Sequence, residues 1–307
     1  RPQHGQAVSA RNIRVLLKDS PIVASHRGPE DRRVQDAYSL RCAPQVAGAG
    51  RDTAHHAALI ADRELEAAID NPVVTEDGRI ESNGNFHGAP LGYALDFLAI
   101  AVADLAGMSE RRTDRFLDKA RSHGLPPFLA DDPGVDSGLM IAQYTQAAIV
   151  SELKRLAAPA SVDSIPSSAM QEDHVSMGWN AGRKLRRALD GLARVLAIEI
   201  LTAARGIRLR APLQPAPATA AVLAALPGPG PDRFLAPAAP PSPSPEHSHE
   251  DDDSCRSRPR AVLPRLAAGG RAADAAEQPR PRGGRAPRGA RGLRRHGQGR
   301  PRLGLVR

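Results

Sequence analysis

Apolar side chains recur at intervals of three or four residues in four stretches of the chain, a spacing typical of helices with a buried face. These stretches are residues 52–70, 90–108, 138–156 and 173–205. The alternation of polar and apolar positions that indicates strands is scarce. The pattern therefore predicts an all-α fold, built as a bundle of long helices.

Local signals predict where these helices begin and end. Asp52 or Thr53 is expected to cap the first helix, which has to end before Pro72 because proline disfavours helical geometry at the preceding residue. Ser109 is expected to start a separate helix after residue 108, and Gly206 to end the last helix.

Composition changes abruptly after Pro237. Residues 1–237 hold 27 Lys+Arg and 27 Asp+Glu, whereas residues 238–307 hold 15 Arg and 7 acidic residues, so the tail carries the whole net charge of +8. The tail is rich in Pro, Arg and Gly and has too few large apolar residues to form a core. We predict a helical domain over residues 1–237 and a disordered tail over residues 238–307, and no nucleic-acid partner for the helical domain.

Two interpretations of the tail are open on composition. One is a basic interaction segment, and the other is an out-of-frame translation of a GC-rich gene. We favour the second, and an intact reading frame through residue 307 would contradict it.

Amide, carboxylate, imidazole and hydroxyl groups are concentrated in three motifs. They are Ala-Met-Gln-Glu-Asp-His-Val-Ser-Met at residues 169–177, Gln-Asp-Ala-Tyr-Ser-Leu-Arg at 35–41, and Ser-Asn-Gly-Asn-Phe-His-Gly at 82–88. Together they closely resemble the histidine ammonia-lyases, within the aromatic amino acid lyase family. The resemblance runs from Arg1 to Pro237 and corresponds to the later part of such an enzyme. It implies an elongated helical fold and assembly as a homotetramer.

Arg41 is the first candidate for substrate binding. A guanidinium can hold the carboxylate of an amino acid through two parallel hydrogen bonds, although a single Arg is usually an ordinary surface residue. Gln35, Tyr38 and Arg41 follow one another at three-residue steps and would lie along one side of a helical turn. The resemblance implies that all three face the active site, with Arg41 on the substrate carboxylate and Tyr38 as a catalytic residue.

Glu172 is the second candidate. A carboxylate opposite an imidazole can accept its N–H hydrogen bond and so distinguish histidine from phenylalanine or tyrosine. On composition alone, Glu172 and Asp173 are better explained as acidic residues at the start of the long helix, where they favour the helix dipole. The resemblance favours Glu172 as the residue that contacts the imidazole, and leaves His174 a structural role in the helix start.

Two further residues are assigned to the substrate pocket by resemblance alone. Phe86 follows a predicted turn at residues 83–85, and a lone Phe is usually a core residue. Asn71, ahead of Pro72, is otherwise explained as a helix C-terminal cap. The resemblance implies that Phe86 lines the pocket and that the amide of Asn71 hydrogen-bonds in it.

The resemblance also implies a cofactor. These enzymes use a 4-methylideneimidazole-5-one group, which forms from an internal Ala-Ser-Gly tripeptide, and no Ala-Ser-Gly occurs in this sequence. Ordinary side chains cannot remove ammonia from histidine without such an electrophile. We therefore expect the chain alone to be inactive, and we expect complete enzymes of this kind to convert L-histidine to trans-urocanate and ammonia.

Two other functions stay open. One is a related phenylalanine or tyrosine lyase or aminomutase, against which Glu172 and His87 argue. The other is a non-catalytic helical scaffold derived from such an enzyme. We predict free thiols at Cys42 and Cys255, no membrane-spanning segment, no metal site and a cytoplasmic location.

Overall fold

The computed structural model describes residues 1–226 except Glu30 and Arg32. The predicted disordered tail and Cys255 lie outside the described residues. Within them the fold is mainly helical, as predicted, with one short antiparallel hairpin. The helices are α1 His4–Leu16, α2 Pro21–Ser25, α3 Tyr38–Arg41, α4 Ala43–Leu65, α5 Ala89–Leu117, α6 Met140–Leu156, α7 Gly178–Arg208 and α8 Pro217–Ala225, and the hairpin pairs β1 Val73–Val74 with β2 Ile80–Glu81.

Helix α5 lies at the centre of the bundle and packs against α4, α6 and α7. The small side chains of Ala99 and Ala106 are almost completely buried, so the backbones of neighbouring helices can approach closely. The core is completed by Leu153 of α6 and Val195 of α7, each at most 1% exposed. Because neighbouring helices hold α5 in this way, α5 fixes the positions of the motifs at its two ends.

Helices α1 and α4 meet at a pair of glycines. A Cβ atom at Gly5 would lie 2.2 Å from the carbonyl oxygen of Gly48, so only glycine permits this approach. The Oδ1 atom of Asp52 accepts a hydrogen bond of 2.8 Å from the amide of Gly5, in the first turn of α1. Asp52 and Thr53 lie inside α4, which makes the prediction that either caps its own helix wrong. Asp52 satisfies an amide at the start of a different helix.

Other predicted boundaries also differ from the structure. Ser109 does not begin a new helix, because α5 continues through it to Leu117 and its side chain is fully buried. Gly206 does not end α7, which extends to Arg208. An added Cβ at Gly206 would lie 3.1 Å from the ring of Phe116, so this glycine serves close helix packing rather than termination.

The sequence-based prediction that no segment could span a membrane needs correction. By length and composition alone, Ala89–Leu117 is apolar enough to do so. In the fold this helix lies between other helices, and it buries the polar residues Asp96, Glu110 and Thr113. Among the described residues, no cluster of His, Cys, Asp or Glu has the arrangement of a metal site, and Cys42 is a free thiol.

Asp96 of α5 joins the start of α7 to the segment before it. Its carboxylate accepts hydrogen bonds from the amides of Ala160 (3.0 Å) and Ser161 (2.8 Å) and from Nζ of Lys184 (3.1 Å). Burial acts to raise the pKa of Asp96, but the hydrogen bonds from Ser161, Ala160 and Lys184 outweigh it and hold the pKa below its usual value.

Asp96→Asn is expected to lower the free energy of unfolding by about 2 kcal/mol at pH 7. Because folding lowers the pKa of Asp96, its contribution is present above the unfolded-state pKa of about 4 and is lost as pH falls through the lower folded-state value. The urea-unfolding free energies of the two proteins should therefore converge in acid. Asp190→Asn, at an exposed position of α7, is the control. A difference between Asp96→Asn and wild type that does not change from pH 7 to pH 2 would contradict this assignment.

Candidate active site

The first motif lies around the short helix α3. Tyr38 and Arg41 are both exposed at the ends of this helix, and the Arg41 guanidinium carbon lies 4.9 Å from the centre of the Tyr38 ring. Gln35 precedes the helix, in a bend. The prediction that Gln35, Tyr38 and Arg41 share one helical turn is therefore correct for two residues and wrong for Gln35, because α3 begins only at Tyr38. Arg41 also lines a groove of about 790 Å³ beside α1, α4 and α7.

A network of charged side chains fixes α3 to the bundle. Arg112 of α5 donates to the carbonyl oxygen of Ser39 (3.2 Å) and forms an ion pair with Glu199 of α7, in which its Nη2 lies 2.8 Å from Oε2. The buried hydroxyl of Ser109 donates to the same carboxylate oxygen at 2.5 Å. Two helices, α5 and α7, thus hold the segment that carries Tyr38 and Arg41. No sequence pattern could predict this network, because Arg112 and Glu199 lie 87 residues apart.

Glu199→Gln is expected to loosen α3 without unfolding the bundle. Removing one partner from a fully buried ion pair costs about 3–5 kcal/mol, and this pair is partly exposed, so we expect a loss of about 2 kcal/mol in the free energy of unfolding. Amide hydrogen exchange at Arg41 and Cys42 should accelerate more than exchange in the core of α5. The control is Glu152→Gln, whose carboxylate pairs with Arg187 on the surface. Unchanged exchange at Arg41 would show that Glu199 does not hold α3.

The second motif begins at the hairpin between α4 and α5. The side-chain oxygen of Asn71 accepts hydrogen bonds from the hydroxyl of Ser82 (3.2 Å) and the amide of Asn83 (3.0 Å). Since α4 ends at Leu65, the alternative explanation of Asn71 as a helix cap is wrong. Asn71 instead fixes the turn that leads to Phe86, which is 55% exposed. A loop Phe at this exposure is not a core residue, and it lines a groove with Trp179.

The third motif packs against the second. The imidazole rings of His87 and His174 stack with their centres 5.7 Å apart and their planes inclined by 9°. Glu172 lies two residues earlier, exposed, with its Oε2 accepting a 2.5 Å hydrogen bond from the hydroxyl of Ser167. Helix α7 begins only at Gly178, so the predicted start near Asp173 is wrong. Because neither residue lies at a helix start, the explanation of Glu172 by the helix dipole is wrong. The prediction that His174 lies in a helix start is wrong for the same reason.

The backbone before Glu172 adopts a rare conformation. Ser168, Ala169 and Met170 have φ angles of 51°, 53° and 73°, in the left-handed region that costs non-glycine residues about 1–3 kcal/mol each. The amide of Ser167 donates to the carbonyl of Glu172 at 2.9 Å, which closes this loop. Strain of this kind persists where surrounding contacts hold the chain, and here it places a carboxylate at the surface.

The predicted site residues form two groups at opposite ends of α5. Asn71, Phe86 and Glu172 lie at its N-terminal end, whereas α3, with Tyr38 and Arg41, is bonded to Arg112 near its C-terminal end. At about 1.5 Å of rise per residue, the intervening stretch of helix is roughly 36 Å long. A single amino acid cannot reach both groups in one chain. The structure therefore brings together the members of each group but not the two groups.

Comparison with known proteins gives the same family as the motifs. The sequence model described as aromatic amino acid lyase matches residues 1–227. A histidine ammonia-lyase of Streptomyces coelicolor is 70% identical over 226 residues, which are 74% of this chain and 44% of that protein. The chain thus spans less than half the length of the curated relatives it matches.

Solved structures share the fold. The histidine ammonia-lyase of Trypanosoma cruzi is 43% identical with a TM-score of 0.65, over 73% of this chain and 41% of that one. Tyrosine aminomutase from Streptomyces globisporus is 37% identical with a TM-score of 0.66, over 75% and 48% of the two chains. All six predicted site residues lie within the matched range of the sequence model. On these grounds the chain belongs to the aromatic amino acid lyase family.

Proposed function

We propose that this chain supplies the substrate-binding residues of a histidine ammonia-lyase, which converts L-histidine to trans-urocanate and ammonia. The observation that carries the proposal is that the chain exposes a guanidinium at Arg41 and a carboxylate at Glu172, one for each end of histidine. The 70% identity to a protein named histidine ammonia-lyase supports the choice of substrate.

Each residue has a distinct role in this proposal. Arg41 binds the substrate carboxylate, and Glu172 accepts the imidazole N–H hydrogen bond. Phe86 contacts the apolar face of the substrate. Tyr38 is the catalytic residue of this chain, because its exposed side chain lies beside Arg41 and carries a hydroxyl that can exchange a proton with the bound amino acid. The amides of Gln35, which lies before α3, and of Asn71, which lies in the group of Glu172, hydrogen-bond at the edge of the pocket.

The separation of the two groups along α5 leads to a further part of the proposal. We infer that each site takes Arg41 from one copy of the chain and Glu172 from another, as in a homotetramer whose subunits run antiparallel. Exposed apolar side chains support such an assembly. On one face of α5, Tyr93, Phe97 and Ile100 are 61%, 51% and 46% exposed at helical spacing. We likewise propose a cytoplasmic enzyme without a membrane or nucleic-acid partner.

The residues of this chain cannot form the cofactor of the family. The 4-methylideneimidazole-5-one group would supply the electrophile that makes ammonia a leaving group, and it forms from Ala-Ser-Gly, which the sequence does not contain. We therefore derive no step through that group. The part assigned to this chain is to bind histidine, orient it and exclude other amino acids.

The proposal is tested by refolding the chain with a polypeptide that carries the Ala-Ser-Gly part of a histidine ammonia-lyase, and following urocanate by its ultraviolet absorbance. We expect urocanate from L-histidine and none when the serine of that tripeptide is replaced by alanine. A stable complex with an intact tripeptide that forms no urocanate would contradict the proposal and favour a non-catalytic scaffold.

A further inference from the structure

A second cavity adjoins the groove that Arg41 lines and shares four lining residues with it. It has a volume of about 260 Å³ and is formed by α2, α3, the C-terminal parts of α5 and α7, and the loop after α5. Pockets for drug-sized ligands usually measure about 300–1,000 Å³, so this cavity suits a smaller molecule. Its apolar wall consists of Ile22, Leu40, Phe116, Leu125 and Ile207.

The polar lining of this cavity is basic. Within the described part of the chain, it contains two imidazoles and five guanidinium groups and no carboxylate: His26, His123, Arg33, Arg112, Arg115, Arg121 and Arg210. Carboxylates that pair with three of the arginines stand outside the lining. They are Asp31 and Asp36 for Arg33, Glu199 for Arg112, and Asp114 and Asp118 for Arg121.

Arg115 and Arg210 differ from those three. Among the described residues, neither has a carboxylate oxygen within 4 Å. Arg210 donates instead to the carbonyl oxygens of Ser122 (2.6 Å) and His123 (2.7 Å), which holds its guanidinium in place at the cavity. Its positive charge is therefore fixed but not neutralised by a neighbouring side chain.

Burial at the cavity lowers the pKa of two of its lining groups. Burial lowers the pKa of Arg210. Burial also lowers the pKa of His123, and the charges of Arg33 and His26 lower it further. Asp31 opposes these charges, so the lowered pKa of His123 is consistent with a basic lining that could attract an anion.

We propose that this cavity binds a small organic oxyanion, a phosphate or carboxylate group carried on an apolar body. Arg115 and Arg210 bind the oxyanion through charge-assisted hydrogen bonds, and Phe116 with the surrounding aliphatic side chains contacts the apolar body. The cavity adjoins the groove that Arg41 lines, but neither Arg41 nor Glu172 is among its lining residues. It goes beyond the proposed function and does not depend on it.

Calorimetric titration of the full 307-residue chain at constant ionic strength tests the proposal. The probes are phenyl phosphate, benzoate and inorganic phosphate. We expect phenyl phosphate or benzoate to bind at least about tenfold tighter than inorganic phosphate, and the tighter of the two identifies the acid group. Arg115→Gln and Arg210→Gln should each weaken that binding about tenfold. Arg187→Gln, on the exposed surface of α7, is the matched control and should bind as the wild type does.

A second readout locates the ligand. Bound anion should raise the pKa of the His123 imidazole in an NMR titration, because negative charge stabilises its protonated form, whereas His4 at the start of α1 should not change. Binding that persists in both Arg variants would overturn the proposal, since it would come from the Arg-rich tail.

Discussion

Replacing Arg41 with alanine is expected to lower kcat/KM for L-histidine by about 10²–10³ in the assembly that contains an Ala-Ser-Gly polypeptide. Each charge-assisted hydrogen bond to a carboxylate contributes about 1.5–3 kcal/mol, and a guanidinium makes two in parallel. Stability should change little, because the contact of Arg41 with the ring of Tyr38 is exposed, and such contacts contribute about 0.5–1 kcal/mol. Steady-state kinetics and urea unfolding measure the two quantities.

Arg51→Ala is the matched control for this prediction. Arg51 is an exposed arginine of the neighbouring helix α4. It should leave both kcat/KM and the free energy of unfolding close to wild type. If Arg41→Ala and Arg51→Ala reduce activity equally, Arg41 has no specific part in binding the carboxylate.

Replacing Glu172 with alanine is expected to remove the preference for histidine. Sites built to hydrogen-bond a polar group reject analogues that lack it by about 10⁴–10⁵, because their own polar group is left unpaired. We expect kcat/KM for L-histidine to fall about 10²-fold or more, while the value for L-phenylalanine rises or is unchanged. Kinetics with both amino acids measure the ratio.

The neighbouring carboxylate provides the control for Glu172. Asp173→Ala removes the same charge one position further along the same exposed loop, and it should leave the ratio of the two kcat/KM values unchanged. A parallel loss for both amino acids in Glu172→Ala would show that this carboxylate acts on the loop and not on the imidazole.

The apolar periodicity of the sequence was enough to find the four long helices. It failed where a polar side chain forms a hydrogen bond with a group far away in the sequence. Asp52 was predicted to cap its own helix, yet its carboxylate binds the amide of Gly5. Ser109 was predicted to start a helix, yet its hydroxyl binds Glu199 inside a continuous one. Local propensity carries no information on such pairs, because only tertiary packing creates them.

For the candidate site, the motifs predict Arg41, Tyr38 and Glu172 by resemblance. The structure places each of them at the surface, and their roles stay predictions. The distance that separates Arg41 and Tyr38 from Glu172 could not be predicted from the sequence, because it depends on the uninterrupted length of α5 between the two groups. The role of Arg112 in positioning α3 could not be predicted either, because a single Arg on a helix is usually an ordinary surface residue.

The measurement that tests the account most directly mixes two inactive variants. Arg41→Ala and Glu172→Ala chains are unfolded together, refolded with the Ala-Ser-Gly polypeptide, and assayed for urocanate. If each site takes Arg41 from one copy and Glu172 from another, about one quarter of the sites in a random mixture regain both residues, and about a quarter of the wild-type activity returns. Activity no higher than that of either variant alone would place both residues in the same chain at every site and contradict the account.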